Sequence, residues 1–241
     1  LEQNKLKIFT DFDGTVTLFD VWLEIGDIFI RDKECWAETI RKFENQEIGT
    51  RDCFTKECEL MVDFDLDTFD KVISRQRLDP KFLDFYEYCK LNNFPITILS
   101  EGMDYYISGV LKKYGLDIPF YSNRIIISED KKSFEIDFPY SDSDCTKCGT
   151  SKRNILMNNT ADDEISVYIG DGFSDTCVVN YADIVFAKRS LASYCWKNNI
   201  TYFEFQTFGD IIKKIDKIKN SRKLKQRDSA RNKRREVFLR G

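Results

Sequence analysis

Along this chain, short stretches dense in β-branched and aromatic residues take turns with longer stretches in which apolar residues recur every three or four positions. The first kind reads KLKIFTDFD, FPITILS, EISVYIGD, ADIVFA and ITYFEF, each with the length and composition of a strand. The second reads DPKFLDFYEYCKLNN, MDYYISGVLKKYG, SKRNILMNN and FGDIIKKIDKIK, with Gly115 placed to close its helix. Strand and helix in alternation predict an α/β protein: a Rossmann-like parallel sheet core, flanked by helices and joined by right-handed crossovers. Two stretches break the rhythm. Residues 16–78 read as successive helices (DVWLEIGDIFI, KECWAETIRKF, TRDCFTKECELMV, DLDTFDKVISRQ), too long for a crossover and expected to form an inserted helical cap. YSNRIIISEDKKSFEIDFPY reads as a β-hairpin that turns at EDKKS. The expected organisation is a core made of 1–15 and 79–212, a cap over 16–78 and a tail over 213–241.

Composition narrows the chemistry. A chain that is 42% hydrophobic and 14% aromatic can bury a substantial core. No apolar run approaches the roughly 18 residues that a membrane span needs, so no membrane partner is expected. No signal peptide fits ahead of the strand that starts near Leu6. The eight cysteines are mostly scattered singly, which suits reduced thiols in a cytoplasmic protein better than a disulfide framework. Histidine is absent, and with it go Ser-His-Asp and Cys-His triads, HExxH zinc hydrolysis and phosphohistidine chemistry. Acid and base work near neutral pH must then fall to carboxylates, lysine, tyrosine or cysteine.

The net charge of −4 conceals an asymmetry. Residues 213–241 hold 13 Lys and Arg against three acidic residues, a balance of +10, so the remaining 24 basic and 38 acidic residues balance at −14. An acidic body therefore carries a basic tail. The favoured reading is a tail that is solvated or lies on that body; binding of nucleic acid or another polyanion is the alternative.

The chemistry-bearing residues fall at the ends of the expected strands. Asp11 opens DFDGTVT directly after the first strand, Ser100 closes FPITILS, and Asp171 follows EISVYIG. All three should lie at the carboxyl edge of one sheet, where open α/β folds bind ligands. Lys152 begins an expected helix, and Asp175 sits four residues after Asp171 at the start of another. Gathering Asp11, Asp13, Asp171 and Asp175 without a cation would be strongly unfavourable, which implies a hard divalent ion on oxygen ligands, Mg2+ being the usual one. Taken singly, each residue also has a plainer reading: Ser100 or Asp175 as a helix cap, Lys152 as a surface charge. Cys145 and Cys148 in CTKCG have half the spacing of a zinc site, with no histidine and no second such pair to complete it.

In order and spacing, DFDGT at 11–15, Ser100 in ITILSEG, Lys152 in GTSKRNIL and GDGFSD at 170–175 resemble the four motifs of the haloacid dehalogenase (HAD) superfamily. The resemblance runs from about Lys5 to Phe208 and leaves out the basic tail. An insert between the first and second motifs is similar to the helical-cap subgroup that includes phosphoserine phosphatases. LSEGMDYYI and IDFPYSDSDCTKCGTSKRNIL most resemble the 2-hydroxy-3-keto-5-methylthiopentenyl-1-phosphate phosphatases of methionine salvage. The resemblance implies a Mg2+-dependent phosphatase acting on a small phosphomonoester through an aspartyl-phosphate. It makes Asp11 the nucleophile and Asp13 the proton donor and then the base. It assigns Mg2+ to Asp11, Asp171 and the main-chain carbonyl of Asp13, and the phosphoryl oxygens to Ser100 and Lys152. Asp175 orients Lys152 or a metal-bound water, and Gly14 lets the chain turn beneath the phosphate.

The departures bear on substrate. Glu101 stands where such enzymes usually have a small residue, and it is expected to point outward. Asp20 occupies the position at which phosphoserine enzymes set an acidic residue against the substrate amine, but Arg51 and Lys56 are imperfectly placed for a carboxylate. A methionine-salvage or related sugar or keto phosphate is therefore expected. Phosphoserine hydrolysis and phosphoryl transfer to another acceptor are the alternatives within the enzyme class; a nucleic-acid-binding protein on a phosphatase fold is the alternative outside it.

Overall fold

The computed structural model describes residues 5–143, 147–221 and 224–240. Its seven strands are β1 (Lys5–Thr10), β2 (Ile96–Met103), β3 (Phe120–Ile127), β4 (Phe134–Asp137), β5 (Glu164–Gly170), β6 (Ile184–Ala187) and β7 (Phe203–Glu204), hydrogen bonded in the order β4-β3-β2-β1-β5-β6-β7. β1 runs parallel to both neighbours, with Ile8 opposite Ile96 of β2 and Thr10 opposite Ile169 of β5. β6 and β7 extend the parallel set, while β3 and β4 form the antiparallel hairpin. No helix is long and apolar enough to cross a membrane among the described residues.

The chain gathers into two compact units. The first takes Leu1–Asp11, Leu78–Leu99 and Lys152–Gly241; the second takes Phe12–Arg77 and Ser100–Ser151. In the first unit β1 and β5 are apolar on both faces, with Leu6, Ile8, Phe9, Val167, Tyr168 and Ile169 all buried, as a parallel strand covered on both sides requires. Helix α5 (Phe82–Leu91) packs on α9 (Phe208–Ser221), where Phe82 and Phe85 each meet the ring of Phe208 at 4.9 Å between centroids. The sequence pattern missed one helix here, α8 (Arg189–Lys197). Only Leu191, Ala192 and Cys195 of it are buried, too few to register as a helical period. ITYFEF shortens to the two residues of β7 because β6 offers it only Phe186 and Ala187 as partners.

The tail contributes a helix, α10 (Asp228–Arg240), whose Arg234 and Lys233 bond the Tyr181 carbonyl and Asn180 and which meets a buried carboxylate, Asp183. Asp183 accepts from the amide and hydroxyl of Ser166 at 3.0 and 2.8 Å, from the Arg227 amide at 3.0 Å and from the Arg234 guanidinium at 3.0 Å. Ala230 and Arg234 are buried beneath the helix. The described part of the basic tail thus lies on its own body; Arg222, Lys223 and Gly241 fall outside the described residues.

The second unit collects the helices inserted after β1: α1 (Val21–Phe29), α2 (Lys33–Glu44), α3 (Thr50–Leu60) and α4 (Leu66–Arg75). With them go α6 (Asp104–Lys113), the hairpin and the last residues of β2. The aspartates before α1, α2 and α4 are real start signals: Asp20, Asp32 and Asp65 accept from the amides of Leu23, Cys35 and Thr68. Buried Glu57 of α3 ties three helices together, taking an indole N–H from Trp22 on one oxygen and from Trp36 on the other, both at 2.8 Å. Phe29, Phe64, Phe69 and Tyr105 continue the core as a run of adjoining rings.

Replacing Arg234 by Ala leaves the buried Asp183 charge short of its guanidinium. We expect a loss on the order of 2–4 kcal/mol in urea unfolding. Proteolytic release of α10 should accelerate in the same variant. Unchanged unfolding and cleavage would show that Asp183 does not anchor the tail.

Candidate active site

Parallel pairing of β1 with β5 delivers their following residues side by side. Asp11 leaves β1 with its amide still bonded to the Ile169 carbonyl at 2.8 Å, and Asp171 follows Gly170 at the end of β5. Lys152 begins α7 (Lys152–Asn158) and points its ammonium between two carboxylates, 2.7 Å from Asp11 Oδ1 and 2.7 Å from Asp175 Oδ1, with Ser174 Oγ at 3.1 Å. The side chains of all three charged partners are almost wholly buried. Asp175 was expected to open a helix; it instead closes the 3-10 turn Phe173–Asp175. From there its Oδ2 accepts the amides of Asp171 and Gly172 at 3.0 and 3.2 Å, and its Oδ1 accepts the Tyr168 hydroxyl at 2.5 Å. Asp171 takes the Arg189 guanidinium at 2.7 Å.

Carboxylate oxygens of Asp11, Asp171 and Asp175 all lie within 4.8 Å of one another. Burial first, then the charge of Asp175, pushes Asp11 well above the usual carboxylate range, and Lys152 pulls it only part of the way back. Asp171 is raised for the same two reasons, with Arg189 opposing. The three buried carboxylates face the ammonium of Lys152, the guanidinium of Arg189 and the partly buried ammonium of Lys188, and their crowding still holds Asp11 and Asp171 above the usual range. Such a crowded, all-oxygen set fits a hard divalent cation, which would relieve the crowding that raises both groups.

Asp13, Gly14, Asp20 and Ser100 belong to the second unit, and the chain passes between units at 11/12, 77/78, 99/100 and 151/152. Asp13 is held at both oxygens, by the Val21 amide at 2.9 Å and by the Tyr106 hydroxyl at 2.6 Å. Gly14 adopts φ 69°, a left-handed turn that glycine takes at no steric cost, and the amides of Thr15, Val16 and Thr17 fold back onto the Phe12 carbonyl. Ser100 is buried in β2 with its hydroxyl accepting from the Gly102 amide at 2.9 Å; α6 starts four residues later, so Ser100 is not its cap. Asp20 caps α1 at 3.0 Å from the Leu23 amide. Glu101 does not point outward. It is buried, and its Oε2 accepts the amides of Gly149 and Thr150, both at 3.0 Å, while Asn123 bonds the Glu101 carbonyl and takes the Thr150 hydroxyl. The extra charge therefore secures the loop that leads into Lys152. Cys145 lies outside the described residues, so the CTKCG pair is not seen as a pair.

Three site neighbours carried no readable signal. Tyr168 and Tyr106 look like core aromatics of a strand and a helix, and their role lies in hydroxyls that meet Asp175 and Asp13. Arg189 reads as a surface charge, yet it adopts a left-handed φ of 50° while its guanidinium bonds Asp171.

Comparison with known proteins gives this site a family. A family model for haloacid dehalogenase-like hydrolases matches residues 8–179. Pdp3-interacting factor 1 of Schizosaccharomyces pombe is 30% identical over 236 residues, covering 90% of this chain and 97% of its own. A 2-hydroxy-3-keto-5-methylthiopentenyl-1-phosphate phosphatase of Brevibacillus brevis is 27% identical, covering 89% and 96%. Polyol phosphate phosphatase PYP1 of Saccharomyces cerevisiae is 29% identical, covering 89% and 94%. Among solved structures, a substrate-bound phosphoserine phosphatase superposes with a TM-score of 0.68 over 89% of this chain and 99% of its own, at 19% identity, a likeness of fold.

Raised carboxylates fix the sign of a stability test. A folded pKa above the unfolded one means that the protonated form favours folding, so the contribution of Asp11 and Asp171 is complete below the ordinary carboxylate range and is lost as pH rises through the raised values. A bound cation should restore it at neutral pH. With Mg2+ as the probe at about 100 times its Kd, about 2.7 kcal/mol of linkage raises Tm by about 5 to 10 °C. The rise should shrink as pH falls toward 5 and vanish in Asp171→Asn. An equal rise in that variant would place the ion elsewhere.

Proposed function

The chain belongs to the haloacid dehalogenase-like hydrolases and is a phosphatase of that family, and on that premise we propose that it hydrolyses a small phosphorylated polyol or keto sugar through a covalent phosphate on Asp11, with Mg2+ as its cation. One observation supports the chemistry above all: a buried carboxylate, Asp11, held 2.7 Å from a buried ammonium at the end of the central strand. Lys152 aims Asp11 by bonding one of its oxygens and can also meet a phosphoryl oxygen, while Asp175 and Tyr168 keep the ammonium from swinging away.

In the first step a carboxylate oxygen of Asp11 bonds to phosphorus, the ester P–O bond breaks, and the departing alkoxide takes a proton from Asp13. In the second, Asp13 takes a proton from water as its oxygen attacks phosphorus and the Asp11–phosphorus bond breaks. Inorganic phosphate leaves and Asp13 has its proton again. Ser100 would donate to a phosphoryl oxygen, and the amides around Gly14 would line the turn beneath it. Asp11 and Asp171 would hold Mg2+, with the main-chain carbonyl of Asp13 as a further oxygen; when bound, the ion offsets the repulsion between carboxylate and phosphate. The inserted helices over 16–78 would act as the cap that excludes water.

The substrate class rests on names of relatives that match nearly full length, a polyol phosphate phosphatase and keto phosphate phosphatases. Asp20 supports it as well: a carboxylate anchored on the Leu23 amide can still accept from a substrate hydroxyl.

A panel of phosphomonoesters with Mg2+ should favour polyol and keto phosphates over phosphoserine by at least about tenfold in kcat/KM, and chelator should abolish turnover. Preference for phosphoserine would overturn the substrate class. Acid-quenched intact mass separates the two aspartates. Asp11→Asn should show neither turnover nor adduct. Asp13→Asn exposed to an aryl phosphate should accumulate one phosphoryl group, because the leaving group needs no proton but hydrolysis still needs the base. An adduct on Asp11→Asn would refute the assignment.

A further inference from the structure

The two oxygens of Asp13 meet donors of different kinds. The Val21 amide, at the first turn of α1, can only donate, and it fixes Oδ1 at 2.9 Å. At Oδ2 stands the hydroxyl of Tyr106, 2.6 Å away, on a side chain with no exposed surface in the first turn of α6. A hydroxyl can donate to a carboxylate and accept from a carboxylic acid by turning about its C–O bond. Space for the pair is made by the backbone: a Cβ at Gly102 would overlap the Tyr106 hydroxyl and lie 2.7 Å from Asp13 Oδ2. The Tyr106 ring also rests against Phe12, the residue just before Asp13, at 6.2 Å between centroids.

We propose that Tyr106 is a positioning residue for proton transfer, its hydroxyl keeping the Asp13 carboxyl in one orientation whether or not it carries the proton, and that Gly102 is glycine so that this hydroxyl can reach it. The inference rests on the proposed role of Asp13 as acid and base. During the first step the proton leaves Asp13 for the alkoxide, and the Tyr106 hydroxyl turns to donate to the carboxylate that results. During the second step a water proton reaches Asp13, and the hydroxyl turns back to accept. Tyr106 keeps its own proton throughout, so no net transfer passes through the phenol.

Tyr106→Phe keeps the ring and removes the hydroxyl. Losing a hydrogen bond to a charged group corresponds to a fall of about 10- to 100-fold in kcat on an alkyl phosphate. KM should stay within about twofold, because the substrate is not touched. On an aryl phosphate with an acidic phenol, formation of the phosphoryl adduct should be unaffected while its hydrolysis slows, so intact mass should show adduct in the steady state. Asp13→Asn supplies the second arm: adding Tyr106→Phe to it should change the single-turnover rate of adduct formation by less than about twofold, since the group through which Tyr106 acts is already gone. Gly102→Ala should reproduce the Tyr106→Phe pattern by displacing the hydroxyl. Equal slowing of adduct formation from alkyl and aryl phosphates, or a further loss on top of Asp13→Asn, would assign Tyr106 a structural role and overturn the proposal. Wild-type turnover by Asp13→Asn itself would overturn the acid–base reading instead, a result that the Tyr106 single variant cannot mimic.

Discussion

Repulsion among buried carboxylates governs the first unit. Asp11 and Asp171 arrive together because β1 and β5 are parallel neighbours, and Asp175 turns back onto both. A sheet edge could discharge this by letting the side chains swing into water, but here they are held under cover, and the fold supplies counter-charges instead. Lys152 comes from the start of α7 and Arg189 from the start of α8, so two helices are located by the charge they bring. Tyr168 and two main-chain amides complete the shell around Asp175. The energetic burden is large for any one of these groups alone and is tolerable only because every oxygen of Asp175 is bonded.

Much of this was legible from sequence, for a definite reason. Asp11, Lys152, Asp171 and Asp175 sit where a strand ends or a helix begins, and an apolar run that stops at a charged residue marks the place in one dimension. The inserted helices were legible as successive helical patterns too long for a crossover, and Asp20, Asp32 and Asp65 cap three of them through amides three residues away. What could not be read depends on partners far along the chain. The direction of Glu101 is decided by amides 48 and 49 residues later. The hydroxyl of Tyr106 is committed by a carboxylate 93 residues earlier. An aromatic residue in an apolar pattern declares its ring and conceals its polar tip. Asp175 illustrates a middle case: its membership of the cluster was clear, whereas the 3-10 turn that aims it was taken for a helix.

Charge asymmetry resolves in a similar way. The acidic body and basic tail, expected to lie together or apart in solvent, are joined by Asp183, which takes the Arg227 amide and the Arg234 guanidinium on the same oxygen. The remaining oxygen serves Ser166 in β5, the strand whose far end carries Asp171. A single buried carboxylate thus links the last helix of the chain to a central strand of the sheet.

That linkage has a consequence for synthesis. Asp183 emerges from the ribosome 51 residues ahead of Arg234, its guanidinium partner. At translation rates of about 5 to 20 residues per second, the interval is about 3 to 10 s. For that time the nascent sheet has β1, β2, β5 and β6 available, and it holds at the base of β6 a carboxylate whose counter-ion has yet to be made. Folding of the first unit can begin on the ribosome, but this contact cannot close until Arg234 has been made, so a product cut short before that residue would keep a buried carboxylate without its guanidinium.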